Sequence, residues 1–190
     1  MMKHSNLTLP LFPLPIFLLP EGITRLRIFE PRYVKMIKRA IQGQGFVLWM
    51  HTVEEPFLEL SWGSWVEIIN FGQGEDGILE IDVKCKALVE ILSLDKDTDN
   101  AYFAQVTEIS HWSQVLVNMP SHTLSQSIAD VFDNTPQLNE LYPEKYTDNL
   151  HWVIARWLEL LPVSLLVKNS FVETHNFEEA KSFVQSIIDK

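Results

Sequence analysis

The chain has 190 residues, enough for one large domain or two small ones with a core that needs no staples. Its composition is an ordinary globular mix, and a formal net charge of -10 speaks against general affinity for nucleic acid or anionic membranes. One cysteine, Cys85, excludes an internal disulfide and a cysteine-rich zinc site, and fits a reducing compartment.

The N-terminal stretch NLTLPLFPLPIFLLPEG is apolar, but Pro10, Pro13, Pro15 and Pro20 interrupt any helix, and no A-x-A-like cleavage site follows. No run approaches the ~18 apolar residues of a spanning helix. The reading is therefore a cytoplasmic protein with no membrane partner. Leu9 to Leu14 is predicted extended, because a proline biases the residue before it away from helix. TRLRIF alternates polar and apolar residues to Ile28, as a half-buried strand does. Pro31 then suits the first turn of a helix, where its missing N–H costs nothing, with Glu30 at the favourable N-terminal end. Tyr33, Val34, Ile37 and Ile41 form the expected apolar stripe of that helix, and Lys35, Lys38 and Arg39 lie off it. Glu30 and Arg32 are placed to pair or cap at the corner.

GFVLWM, SWVEIINF, GILEIDVKCKALVEIL and AYFAQVTEI are rich in β-branched and aromatic residues and read as strands. The turn-like pieces QGQG, GQGEDG and DKDTDN separate them. Many short strands at this spacing suggest a barrel or sandwich. After a boundary near Ser113 to Pro120 the pattern becomes helical. Leu124, Ile128, Val131 and Phe132 share one face, as do Leu150, Ile154, Trp157, Leu158 and Leu161 before Pro162. Asn176 with Glu179 three residues on resembles a capping box, followed by Phe177, Ala180, Val184, Ile187 and Ile188 on one face. The fold class is α+β, with a β-rich part over 1–115 and a helical part over 116–190.

No catalytic constellation stands out. His4, His51, His111, His122, His151 and His175 include no metal-binding spacing. DKDTDN places Asp95, Asp97 and Asp99 like a calcium loop, but Asn100 replaces the turn glycine and Val106 the bidentate glutamate, so it reads as a solvated turn. Ser64 in WGSW lacks the nucleophile-elbow pattern. Cys85, in an alternating strand with Val83 and Ala87 on its own face, reads as a small buried hydrophobe. GQGEDG lacks the lysine and hydroxyl of a phosphate loop. The pairs Glu54–Glu55 and Glu178–Glu179 read as solvated faces. No cofactor is expected. An enzyme site assembled only in space would need His111, His122 and an acid to meet in a pocket.

LPLFPLPIFLLPEGITRLRIFEPRYVKMI, then GFVLWM, GSWVEI and DGILEIDVKCKALVEI, resemble the N-terminal domain of the ATP-dependent protease Lon, and especially bacterial proteins made of that domain alone. The segment holding Phe29, Glu30, Pro31, Arg32 and Tyr33 is the most specific part, with the LPLFPL opening; ELLPVSLLVKNSFVE stands in the place of the family's leucine-proline and lysine helix. The resemblance implies a PUA-like β pseudo-barrel of about six strands with one inserted helix, followed by a C-terminal helical bundle. It implies substrate recognition without ATPase or protease, so the family carries no catalytic residue over. Where the family usually has a Gly and then an Arg, this chain has Cys85 and Leu88. Cys85 suggests a more regular strand there, and Leu88 removes a charge.

Two functions follow from this reading. The first is a non-enzymatic module for unfolded or extended protein segments, or for a protein partner such as proteolysis machinery. The alternative is an RNA-binding PUA-like protein using the basic segment 25–39. The candidate binding surface comprises Arg25, Arg27, Arg32, Trp62, Trp65 and Trp112, although core packing is the commoner role for a tryptophan. A solvated basic face balanced by acids elsewhere is the bland account of the arginines.

Overall fold

The computed structural model describes residues 6–50, 61–112, 122–172 and 176–189. His4, His51, His175, the Glu54–Glu55 pair and the expected 115/116 division lie outside them. The chain divides into two compact units, Met1–Ile109 and Ser110–Lys190.

The first unit holds β1 (Leu7–Pro13), β2 (Ile23–Ile28), α1 (Pro31–Gln42), β3 (Phe46–Trp49), β4 (Trp62–Gln73), β5 (Leu79–Lys96) and β6 (Tyr102–Ile109). β2 buries Ile23, Leu26 and Ile28 and exposes Arg25 and Arg27, the alternation its sequence predicts. Pro31 opens α1 after an extended Glu30, whose side chain makes no capping hydrogen bond. Gly43 follows the last helical residue.

The length of β5 organises the sheet. Its first part, Leu79–Lys84, pairs with β2, and Leu88–Lys96 pairs with β6. The sheet order β2-β5-β4-β3-β1-β6 therefore closes on itself through β5 and β6, leaving β2 as an appended strand. Closure removes most open edges. All neighbours are antiparallel except β1 and β3, which run parallel because β2 and α1 form the crossover between them.

Two layers of packing hold this unit. Leu9, Leu11, Val47, Trp49, Val89, Ala104 and Val106 form one buried cluster. Phe12 points the other way, as the neighbour of Leu11 must, and meets Tyr33 of α1 ring to ring at 4.2 Å and Phe46 at 6.4 Å. α1 buries Tyr33, Met36, Ile37 and Ala40, a face rotated from the expected stripe, so that Ile41 is half exposed.

The regular strand expected at Cys85 is not what forms. Trp65 pairs with Ala87 and Val66 with Cys85, so Lys86 is an extra residue and the ladder shifts there without a glycine. Cys85 remains fully buried, its backbone tied to Glu21 and Gly22 and its thiol 3.4 Å from the carbonyl of Ala87. Leu88 is fully buried too.

The second unit holds α2 (His122–Asp133), α3 (Pro136–Leu141), α4 (Leu150–Leu160), α5 (Leu165–Asn169) and α6 (Phe177–Ile188). α4 packs against α2 and α6. Leu124, Ile128 and Phe132 of α2 are buried, and Phe132 stacks on Trp152 with centroids 5.8 Å apart. The Asn149 side chain accepts from the Trp152 N–H at 3.2 Å and caps α4. Asn149→Ala is expected to lower the stability of this unit by ~1 kcal/mol in urea unfolding. The capping box predicted at Asn176 does not form: its side chain makes no cap bond and instead donates to the Ser170 carbonyl at 2.6 Å. α3 and α5 are too short to show a stripe and escaped the sequence pattern, although Pro136 and the capping Ser164 mark their starts.

Candidate functional site

The basic window is real, and most of its charges are matched. The β2–β5 register sets Arg25 opposite Asp82 and Arg27 opposite Glu80. Arg25 donates twice to Asp82, at 2.7 and 3.0 Å, a bidentate pair that Asn70 supports from β4. Hydrogen bonding from Arg25 holds the Asp82 carboxyl below its ordinary range, against the opposing effect of partial burial. Arg27 pairs with Asp76 and lies 3.4 Å from Glu80. Arg32 pairs with Glu30 at 2.9 Å and covers the Tyr33 ring. From α1, Lys35 reaches Asp99 at 2.9 Å and Arg39 reaches Asp97 at 3.2 Å. Asp97 also accepts the backbone N–H groups of Asp99 and Ala101, so the DKDTDN turn is an ion-paired Asx turn and not a cation loop. Five cations of the window thus meet acids, which removes much of the field a polyanion would require, and RNA binding is not favoured.

The tryptophans are mainly structural. Trp62 is buried, edge-on to Phe17 at 6.0 Å. Trp112 is buried in the second unit and donates to the Phe171 carbonyl at 2.9 Å. Trp49, Trp152 and Trp157 are buried as well. Trp65 alone of the six is partly exposed; its indole N–H donates to the Gln44 carbonyl at 2.7 Å and Lys86 lies over its ring. Trp62 and Trp112 therefore offer no binding face of their own, and the arginines are engaged by acids. Phe29, in the signature segment, is 72% exposed.

His111 gathers with His151 and not with His122. Its ring stacks on Trp112 at 4.3 Å, and Phe177 packs against both Trp112 and His151. Nδ1 lies 3.1 Å from the Val172 carbonyl, whereas Nε2 is buried without a hydrogen-bond partner among the described residues. Burial pushes the His111 pKa down to about 4 and lowers that of His151 also. No group of three or more metal-ligating side chains occurs among the described residues. Arg156 and Glu159 form a buried bidentate pair at 2.7 and 2.8 Å, and Lys168 donates to the Glu159 carbonyl. These charges are integrated into helix packing.

A different surface combines an open strand edge with a small hollow. β4 pairs with β3 only through Ser64, Trp65 and Val66, because β3 is four residues long. From Glu67 to Gln73, β4 pairs with β5 alone. Its outer edge there faces no strand among the described residues. Beside it, at the end of α1, lies a hollow of about 210 Å³ lined by Ile41, Glu67, Ile68, Ile69 and Phe71, with Gly43 and Gly45. Ile41, Ile69 and Phe71 are 50%, 44% and 66% exposed, three large apolar side chains that folding leaves in water within a lining of mixed polarity that includes Glu67. A ladder shift at Ile69 contributes to this exposure. The sequence reading missed the surface: the same letters looked like a buried strand and a buried helix stripe.

Among the described residues, no helix is long and apolar enough to cross a membrane. Comparison with curated proteins returns no match. Among solved structures, the chain is similar to a Lon N-terminal domain protein from Xanthomonas campestris, with 24% identity, a TM-score of 0.69, and 95% of this chain and 98% of that chain covered. It is also similar to the N-terminal domain of a Lon protease of the Mycobacterium avium complex, at 10% identity and a TM-score of 0.66, covering 96% and 98%. Those likenesses establish the α+β fold, with six strands and a helical C-terminal part. The model of the substrate-binding domain of ATP-dependent protease La (LON) matches residues 8–190, nearly the whole chain, and the chain belongs to that family.

Proposed function

We propose that this substrate-binding-domain protein is a non-catalytic module that binds unfolded or extended protein segments. The observation that carries this reading is the hollow bearing Ile41, Ile69 and Phe71 beside a strand edge that is unpaired among the described residues. Family membership supports it, since substrate binding is the role for which the family is described. An apolar surface this exposed costs solubility unless something covers it in use. Peptide arrays and fluorescence anisotropy with the purified chain provide the test. Apolar, extended peptides should bind, and Phe71→Asp with Ile69→Asp should weaken binding about tenfold or more without unfolding the protein, because both side chains lie outside the core. No binding above background would overturn the proposal.

A further inference from the structure

We propose that the bound segment joins the sheet as an added strand along the outer edge of β4 from Ile68 to Gln73, and that it is apolar with basic flanks. This rests on the binding-module reading above and assigns its mode and substrate class. The backbone is the first argument. Successive N–H and C=O groups of a strand point alternately to its two sides, so the outer side of this stretch presents donors and acceptors that no strand among the described residues uses. Only another extended chain satisfies such a row with regular geometry. Six residues at ~3.3 Å each set a footprint of about 20 Å, so the occupant needs about six residues in extended form.

The edge has little of the usual protection. Ile68 to Gln73 contains no lysine and no proline, and the ladder shift at Ile69 is its one irregularity. Nothing lies within 4 Å of where a Cβ would stand on Gly72, so the face of the sheet at this point is open to the side chains of an added strand. An added strand would set alternate side chains over the hollow, where Ile41, Ile69 and Phe71 accept apolar groups. Charge then selects the flanks. Glu67 lies exposed at one end of the edge and Glu75 just past the other, whereas the nearby Asp76 is already held by Arg27. Lysine or arginine at the ends of the segment complements these acids in a chain of net charge -10.

The test uses the whole chain and a labelled peptide of alternating valine and serine with lysine at both ends. Two further versions carry N-methyl groups on alternate backbone amides, one in each phase, and a fourth replaces the lysines by glutamates. Strand addition predicts that one N-methyl phase lowers affinity about tenfold or more while the other has little effect, since only one phase faces β4. The glutamate version should bind more weakly, with the difference shrinking as salt rises. Binding that is indifferent to both N-methyl phases overturns strand addition and leaves the binding-module reading standing. Failure of every peptide to bind overturns both. A dimer that Phe71→Lys dissolves, in a protein that binds none of these peptides, gives the edge to a second copy and also overturns the proposal.

Discussion

Gly45→Ala is expected to destabilise the β-rich unit by ~3 kcal/mol or more, one of the two largest effects predicted for any single change here. Gly45 sits at φ +83°, in the left-handed region, where a side chain strains the backbone. Space is the second cost. A Cβ at this position would stand 2.0 Å from the Val66 carbonyl oxygen, a backbone atom fixed by the β3–β4 ladder. The chain cannot relieve the clash by moving a flexible side chain; it must push β3 away from β4 or rebuild the turn after α1. Gly72→Ala supplies the control, because a Cβ there meets nothing within 4 Å, and its change should stay within about 0.5 kcal/mol. Urea unfolding followed by tryptophan fluorescence measures both, and Trp65 reports directly because its indole N–H is bonded to Gln44. Similar midpoints for the two variants would contradict the argument. Gly45 also lines the hollow, so a folded Gly45→Ala protein should show altered peptide binding.

Much of this fold is legible in the letters because its signals are local. Pro31 after the alternation of Arg25 to Ile28 states that a strand ends and a helix begins, and the structure has β2 and α1 at those places. Alternating strands and helical stripes work in the same way, since each element carries its own period. The ion pairs are not local. Arg25 and Asp82 are 57 residues apart, and Lys35 and Asp99 are 64 apart. Only the strand register brings them together, so the sequence shows a basic cluster and conceals its neutralisation. The open edge of β4 is hidden for a similar reason. Ile69 and Phe71 have the same character as any core strand residue. They are exposed because β3 is short and stops pairing at Val66, a property of another segment altogether. The tryptophans show the converse: a residue type that suits binding grooves is here mostly consumed by two cores.

Lowering the pH from about 6.5 to 4 is expected to remove up to ~3 kcal/mol from the stability of the helical unit through His111 alone. In the fold His111 is neutral, and burial depresses its pKa to about 4 from the ordinary 6.5. Between these values the unfolded chain binds a proton that the folded chain refuses. Stability therefore rises with pH across this window, is fully present above 6.5, and is lost as pH falls toward 4. The geometry explains the refusal. Neutral His111 can donate from Nδ1 to the Val172 carbonyl, but a protonated ring would also carry an N–H at Nε2, which is buried without an acceptor among the described residues. His151, depressed by burial as well, adds a contribution of the same sign. The depressed carboxyls of Asp76, Asp82 and Asp97 contribute stability that is present above the ordinary carboxylate range and is lost from about pH 5 downward, so they overlap only the acid end of this window. His111→Phe keeps a flat ring against Trp112 and abolishes the titration, at the cost of the bond to Val172. Its stability should be lower at neutral pH and nearly flat between pH 6.5 and about 5 apart from the His151 share, with the carboxyls adding a fall below that in variant and parent alike. Unfolding midpoints across that range, read from tryptophan fluorescence, provide the measurement. A variant that loses stability with acid as steeply as the parent chain would place the sensitivity in another group.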